Sequence, residues 1–127
     1  MKYNLASSTW GKEEINAIKS VIESDMYSMG KKVFEYERDF ASFFNSKYAV
    51  MTSSGSTANL IATAALFYTK KNKLKRGDEV IVPAVSWSTT YFPLHQYGLK
   101  LKFVDIDLLT LNYDLESLKS ANSSKTK

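Results

Sequence analysis

The sequence contains no cysteine and a single histidine, His95. Disulfides, thiolate metal sites and cysteine nucleophiles are therefore excluded, and one imidazole gives no basis for a histidine-rich metal centre. Long apolar runs are missing too. None approaches the roughly 20 residues that cross a bilayer, and the opening stretch "MKYNLASSTWGKEE" has no apolar core of the kind a secretory leader carries. A cytoplasmic protein with no membrane partner is the expectation. The sequence shows no internal repeat and no low-complexity segment. Net charge is only +4, and much of the basic character sits in Lys70-Lys71-Asn72-Lys73-Leu74-Lys75-Arg76. That run lacks the interleaved aromatics or groove-reading helix that nucleic-acid binding calls for, and it reads as a solvated helix end passing into a loop. No nucleic-acid partner is expected.

What is present is a chain of 127 residues, 44% hydrophobic and 13% aromatic, which suffices for a core in one domain or part of one. From Lys12 to Ser24, Ile15, Ile18 and Ile22 recur at helical spacing behind Glu13 and Glu14, so an amphipathic helix is expected. "DMYSMGKK" breaks the period, and Gly30 can take a positive φ there. A second helix should follow, with Val33, Tyr36, Phe40, Phe43 and Phe44 on one face packed into a core. Beyond it, short apolar runs alternate with helical segments. Strands are expected at Tyr48–Met51, Val80–Val82 and Leu101–Val104. Helices are expected at Ala58–Tyr68, at Thr89–Tyr97 ending on Gly98, and after Asp114 as cap, with Leu115 and Leu118 turned inward. Strands separated by helices imply parallel pairing, hence the α/β class. The series stops after a helix with only three strands laid down, so residues 1–127 are expected to be the N-terminal segment of something longer.

Three stretches could carry chemistry. In "VMTSSGSTANL" five hydroxyls surround Gly55 between a strand and a helix. Such a turn aims backbone N–H groups and hydroxyl donors at an anion on the positive end of the helix. Ordinary N-capping by Ser and Thr uses the same residues, and the chemistry leaves both readings open. In "VIVPAVSWSTTYFPLHQYG", Pro83 ends a strand, and the following loop sets Ser86, Trp87, Ser88 and Thr89 on the carboxyl edge of the sheet, where open α/β sheets bind ligands. Trp87 either offers its face to a ring or is a core tryptophan. In "VDIDLLTLN", Asp105 and Asp107 fit a D-x-D metal site only weakly, and local bonds from Asp to backbone in a turn explain them more simply. His95 is expected to pack or face solvent.

Taken in order, "MYSMGKKVFEYERDFASFFNSKYAVMTSSGSTANL", "LKRGDEVIVPAVSWSTTYFPLHQYGLKLKFVDID" and "TLNYDLESL" resemble the N-terminal part of the DegT/DnrJ/StrS family of pyridoxal phosphate enzymes acting on nucleotide-linked keto sugars. The resemblance covers nearly the whole chain. It implies part of the large domain of the PLP-dependent transferase fold type I, with N-terminal helices followed by alternating strands and helices around a mainly parallel sheet. It also implies that the turn Gly55-Ser56-Thr57 holds the phosphate of pyridoxal 5'-phosphate and that Trp87 stacks on the pyridine ring. "SSGSTANL" and "PAVSWSTTYFPLHQYG" look most like the sugar 3-dehydratase branch rather than the aminotransferases, in cell-surface polysaccharide, lipopolysaccharide or secondary-metabolite sugar synthesis. By the same resemblance the substrate is a nucleotide-linked sugar and the full enzyme a homodimer. Tyr27 to Gly30 match a segment near the active site and the dimer interface. The family's pyridinium-pairing carboxylate, and its Schiff-base lysine or the histidine replacing it, match no position here. No catalytic residue is assigned, and the 127 residues alone are expected to be inactive. The rival expectations are a non-catalytic phosphate-binding remnant and a metal-dependent sugar-nucleotide enzyme built on Asp105 and Asp107.

Overall fold

A computed structural model describes Asn4 and residues 6–127. The chain forms two compact units, one ending at Met51 and one running from Thr52 to Lys127.

The first unit is helical. Helix α1 spans Lys12–Glu23 and is capped at Gly11, whose N–H donates to Glu14 Oε2 at 2.7 Å. Helix α2 spans Lys31–Phe43, with Lys31 and Lys32 both paired to Glu35 on its surface. Both helices form where periodicity places them, but their apolar faces are not buried. Ile15, Ile18 and Ile22 are exposed, and so are Tyr36, Phe40, Phe43 and Phe44, against the expectation of core packing. The rings instead pack along the helix, Tyr36 to Phe40 at 5.5 Å and Phe40 to Phe44 at 4.6 Å between centroids, and Ala41 alone in α2 is buried. Spacing sets which face is apolar, whereas burial needs a second surface to meet it. The turn between the helices also differs from expectation. Gly30 is extended at φ −153° as the N-cap of α2, and the left-handed residue is Asp25 at φ 53°.

Tyr48–Met51 is not a strand. Tyr48 and Val50 are exposed, and Met51 N–H donates to Glu37 Oε1 at 2.7 Å. A strand exists only through its neighbour's hydrogen bonds, and among the described residues none pairs with this run.

The second unit has the alternating order. Helix α3 spans Gly55–Leu66 and leads through a long loop to strand β1 at Glu79–Pro83. A 3-10 turn at Ser88–Thr90 and the short helix α4, Phe92–Gln96, lead to strand β2 at Lys100–Val104, and helix α5, Leu115–Ala121, follows. β1 and β2 pair in parallel from Glu79–Lys100 to Pro83–Val104. Val80 and Val82 are buried on alternate positions of β1, and Leu74, Val80 and Leu99 form a core with Phe67, Leu94 and Leu101 packed against it. The basic run lies wholly beyond α3, so its cations occupy the loop rather than the last helical turn, and Leu74 within it is a core residue. Asp114 caps α5 as expected, accepting from Ser117 N–H at 2.7 Å. Leu115 is nonetheless exposed, and Ala121 is the buried residue of that helix.

Past α5 the chain returns to β1. Thr126 makes a parallel bridge with Glu79, Lys127 N–H donates to the Glu79 carbonyl at 3.0 Å, and the hydroxyls of Ser123 and Thr126 reach Glu79 Oε1 at 3.1 and 3.3 Å. This isolated parallel bridge sets the chain after α5 on the edge of β1 opposite β2, beside a sheet of two strands, while among the described residues the run at 48–51 stays unpaired.

Gly98 closes α4. It sits at φ 78°, and its N–H donates to the His95 carbonyl at 2.8 Å while Leu99 N–H reaches Leu94. A Cβ there would lie 3.0 Å from Arg76 Nη1. The arginine can swing away, but the left-handed backbone remains. Gly98→Ala should destabilise this unit by roughly 1 kcal/mol, read as a lower urea midpoint at unchanged slope.

Candidate functional site

The turn before α3 spends some of its donors on a helix cap and leaves others unpaired. Ser54 is the N-cap, extended at φ −165°. Its hydroxyl accepts from Thr57 N–H at 3.3 Å, while Thr57 Oγ1 accepts from Ser54 N–H at 3.0 Å and donates to the Ser54 carbonyl at 2.8 Å. Ser53 and Ser54 hydroxyls also contact Thr57 Oγ1, each at 3.2 Å. This reciprocal box fixes the helix start and occupies the Thr57 hydroxyl. Ala58 N–H goes to the Ser54 carbonyl. The N–H groups of Gly55 and Ser56 have no partner among the described residues, and space is open above Gly55, where a Cβ would meet nothing within 4 Å. Two free amides on the positive end of a 12-residue helix, beside an open approach, suit an anion.

Trp87 is 76% exposed, so within this chain no core covers its ring. Around it, Thr90 N–H donates to the Trp87 carbonyl at 2.9 Å, Tyr91 N–H to Ser88 at 3.0 Å, and the Ser86 and Thr90 hydroxyls meet at 3.0 Å. The Tyr91 hydroxyl donates to the Pro83 carbonyl at 2.8 Å, which anchors this turn on the carboxyl end of β1. On the other side, Asn59 Nδ2 donates to the Thr89 carbonyl at 3.3 Å. A groove of about 170 Å³ runs between the two elements, lined by Ser56, Thr57, Leu60, Thr89, Phe92, Pro93 and Gln96. The fold thus joins the Ser/Gly turn and the tryptophan turn on one groove. Sequence reasoning passed over Asn59 and Tyr91. The signal for Asn59 was the lone carboxamide in the mostly apolar run "ANLIATAAL", whose other polar residue is Thr63.

The third stretch is a polar turn. Asp107 Oδ1 accepts from Thr110 N–H at 2.8 Å, Thr110 Oγ1 at 2.9 Å and Leu109 N–H at 3.1 Å, and Asp105 Oδ1 accepts from Ile106 N–H. Among the described residues no three His, Cys, Asp or Glu side chains gather in a possible metal site. Donation from the Thr110 N–H, then from its hydroxyl, holds the Asp107 carboxyl below its ordinary value of 3.8. A lowered folded pKa stabilises the turn above the ordinary value, and that support is lost as pH falls through the folded one. The Thr110 amide shift, followed by NMR against pH, should titrate with a midpoint below 3.8. A midpoint at or above that value would show the bond to be absent in solution. His95 is exposed on α4, and the Tyr27 hydroxyl in the first unit donates to the Ile22 carbonyl at 3.2 Å.

Residues 8–127 match the DegT/DnrJ/EryC1/StrS aminotransferase family. The chain is 66% identical over its full length to the GDP-4-keto-6-deoxy-D-mannose 3-dehydratase of Yersinia pseudotuberculosis, of which it covers 32%. The solved E. coli GDP-4-keto-6-deoxy-D-mannose-3-dehydratase with bound hydrated PLP superposes with a TM-score of 0.92 at 65% identity, over 99% of this chain and 32% of that one. An aminotransferase from Psychrobacter cryohalolentis superposes at 0.78 with 29% identity, over 94% of this chain and 29% of that one. The chain thus spans about a third of the length of these relatives. Its helices and small parallel sheet are those of the first part of a fold type I large domain, as the resemblance implied.

Proposed function

The chain belongs to the DegT/DnrJ/EryC1/StrS aminotransferase family, and on that premise we propose that it is the N-terminal third of a pyridoxal phosphate enzyme that removes the 3-hydroxyl of a nucleotide-linked 4-keto-6-deoxy sugar. Identity of 66% to a 3-dehydratase, against 29% to the aminotransferase above, supports the dehydratase branch. The observation that carries the reading is the groove lined by Ser56 and Thr57 of the helix start, next to the unpaired Gly55 and Ser56 amides, and by Thr89 of the turn that follows the exposed Trp87.

The cofactor, when bound, supplies an electron sink for breaking a C–O bond near a keto group, which no side chain here offers. The chain's own residues would hold it: Gly55 and Ser56 N–H would donate to the phosphate at the helix N-terminus and Trp87 would cover the ring, while Thr57 keeps that turn closed. The acid–base groups come from the part of the relatives that this chain does not span, and a second protomer completes the site. The activity serves cell-surface polysaccharide synthesis in the cytoplasm.

The test is a fluorescence titration with pyridoxamine phosphate, the amine form, which cannot condense with surface lysines. Trp10 is replaced by Phe so that Trp87 alone emits. Quenching should saturate and be competed by inorganic phosphate. Trp87→Leu, followed by calorimetry, should weaken binding about fivefold to tenfold, the scale of one aromatic stack. Equal affinity for inorganic phosphate and the cofactor, with no effect of Trp87→Leu, would sink the reading in favour of a bare phosphate-binding module.

A further inference from the structure

We infer that Asn59 is a positioning residue that sets the Trp87 turn at a fixed distance from the phosphate-binding turn, through its side-chain amide on the Thr89 carbonyl. This rests on the cofactor reading above. Asn59 lies three and four residues beyond Ser56 and Gly55 on α3, so all three share one helix face. The helix holds Asn59 rigidly with respect to the two free amides. At the other end, the bonds from Thr90 to Trp87, from Tyr91 to Ser88 and between Ser86 and Thr90 make Ser86–Tyr91 a small body that moves as one. Tyr91 ties that body to β1. Among the described residues, the Asn59 amide makes the single hydrogen bond from α3 to it, at 3.3 Å.

A ligand gripped at two points gains from both only if their spacing is already correct in the free protein; otherwise the second contact is offset by the ordering it requires. A phosphorylated ring is such a ligand, with its anion on Gly55 and Ser56 and its ring on Trp87. Inorganic phosphate is not, because it touches only the first. Asn59 should therefore matter for the whole cofactor and not for its phosphate. Helix formation alone gives no reason for the residue, since Ala or Leu would serve α3 better.

The experiment uses the 127-residue chain with Trp10→Phe. Asn59→Ala should leave the far-UV melting curve in place while raising acrylamide quenching of Trp87 about twofold with no ligand present, as a local loosening would. Pyridoxamine phosphate should bind about tenfold more weakly, and inorganic phosphate within about twofold of the parent. In the Trp87→Leu background, followed by calorimetry, Asn59→Ala should have no further effect on cofactor affinity. Asn59→Leu, close in shape and also lacking the donor, should repeat these results if the alanine variant folds poorly. Equal weakening for phosphate and cofactor, or unchanged Trp87 quenching, would overturn the positioning role. If the parent binds pyridoxamine phosphate and Asn59→Ala binds it as well, the positioning role alone fails. If the parent does not bind it, the cofactor reading fails and takes this role with it.

Discussion

Gly55→Asp should weaken cofactor binding on the order of thirtyfold while leaving the fold intact. The position is the first residue of α3, where a carboxylate complements the positive helix end, so the helix itself should be no less stable. The added side chain has room, since an ideal Cβ meets nothing within 4 Å. What it occupies is the approach to the two free amides. Two unit charges about 4 Å apart repel by ~4 kcal/mol at an effective dielectric near 20, and solvent screening removes part of that at an exposed turn. Losing half of it still corresponds to weakening on the order of thirtyfold in affinity for phosphate and cofactor alike. Isothermal titration with pyridoxamine phosphate, together with a melting curve, reads both sides of the claim. Gly55→Ser adds a side chain without a charge and should bind within about threefold of the parent, because backbone donors are untouched. Full affinity in Gly55→Asp would place the anion elsewhere and remove the central element of the site.

That variant works as a test because the turn is decided locally. Ser54, Gly55 and Thr57 are close in sequence and satisfy one another, so their geometry was legible in the sequence, including the ambiguity between capping and binding. In the structure the Ser54 and Thr57 groups are spent on the cap, and the Gly55 and Ser56 amides have no partner among the described residues. The Asp114 cap and the Gly98 stop were legible for the same reason. Trp87 was not. Whether an indole is buried or offered to a ligand depends on what packs beside it, which "VSWST" does not state, and only the fold places it exposed.

The misread elements share one cause. The aromatic face of α2, the run at 48–51 and Leu115 are apolar in patterns that call for a partner surface, and pattern alone supplied one. The run "YAVM" has the composition of a buried strand, yet no described strand reaches it and Tyr48 and Val50 stay in solvent. Asn59 failed in the opposite direction. A single carboxamide in a mostly apolar helix has no evident partner until the fold brings a carbonyl 30 positions away within reach.

Those uncovered patterns lead to the last expected result. Mixed with a separately produced polypeptide carrying the remaining two thirds of the Yersinia relative, the chain should yield 3-dehydratase activity where neither piece alone has any. Large apolar side chains stand in solvent in both units, Phe43 and Tyr48 in the first and Leu108 and Leu109 in the second. Exposed apolar area on this scale marks an interaction surface. Relatives that share 66% identity and this local fold carry about three times as much chain, which is the polypeptide such a surface fits. Before mixing, the chain should bind a hydrophobic dye and unfold with a shallow urea dependence, because little of its apolar area is buried. After mixing, dye binding should fall as activity rises, and Gly55→Asp should prevent the activity without preventing the loss of dye. A chain that unfolds steeply by itself, ignores the dye and gains nothing from the second polypeptide would show that its exposed faces are tolerated in water and meet no partner of this kind.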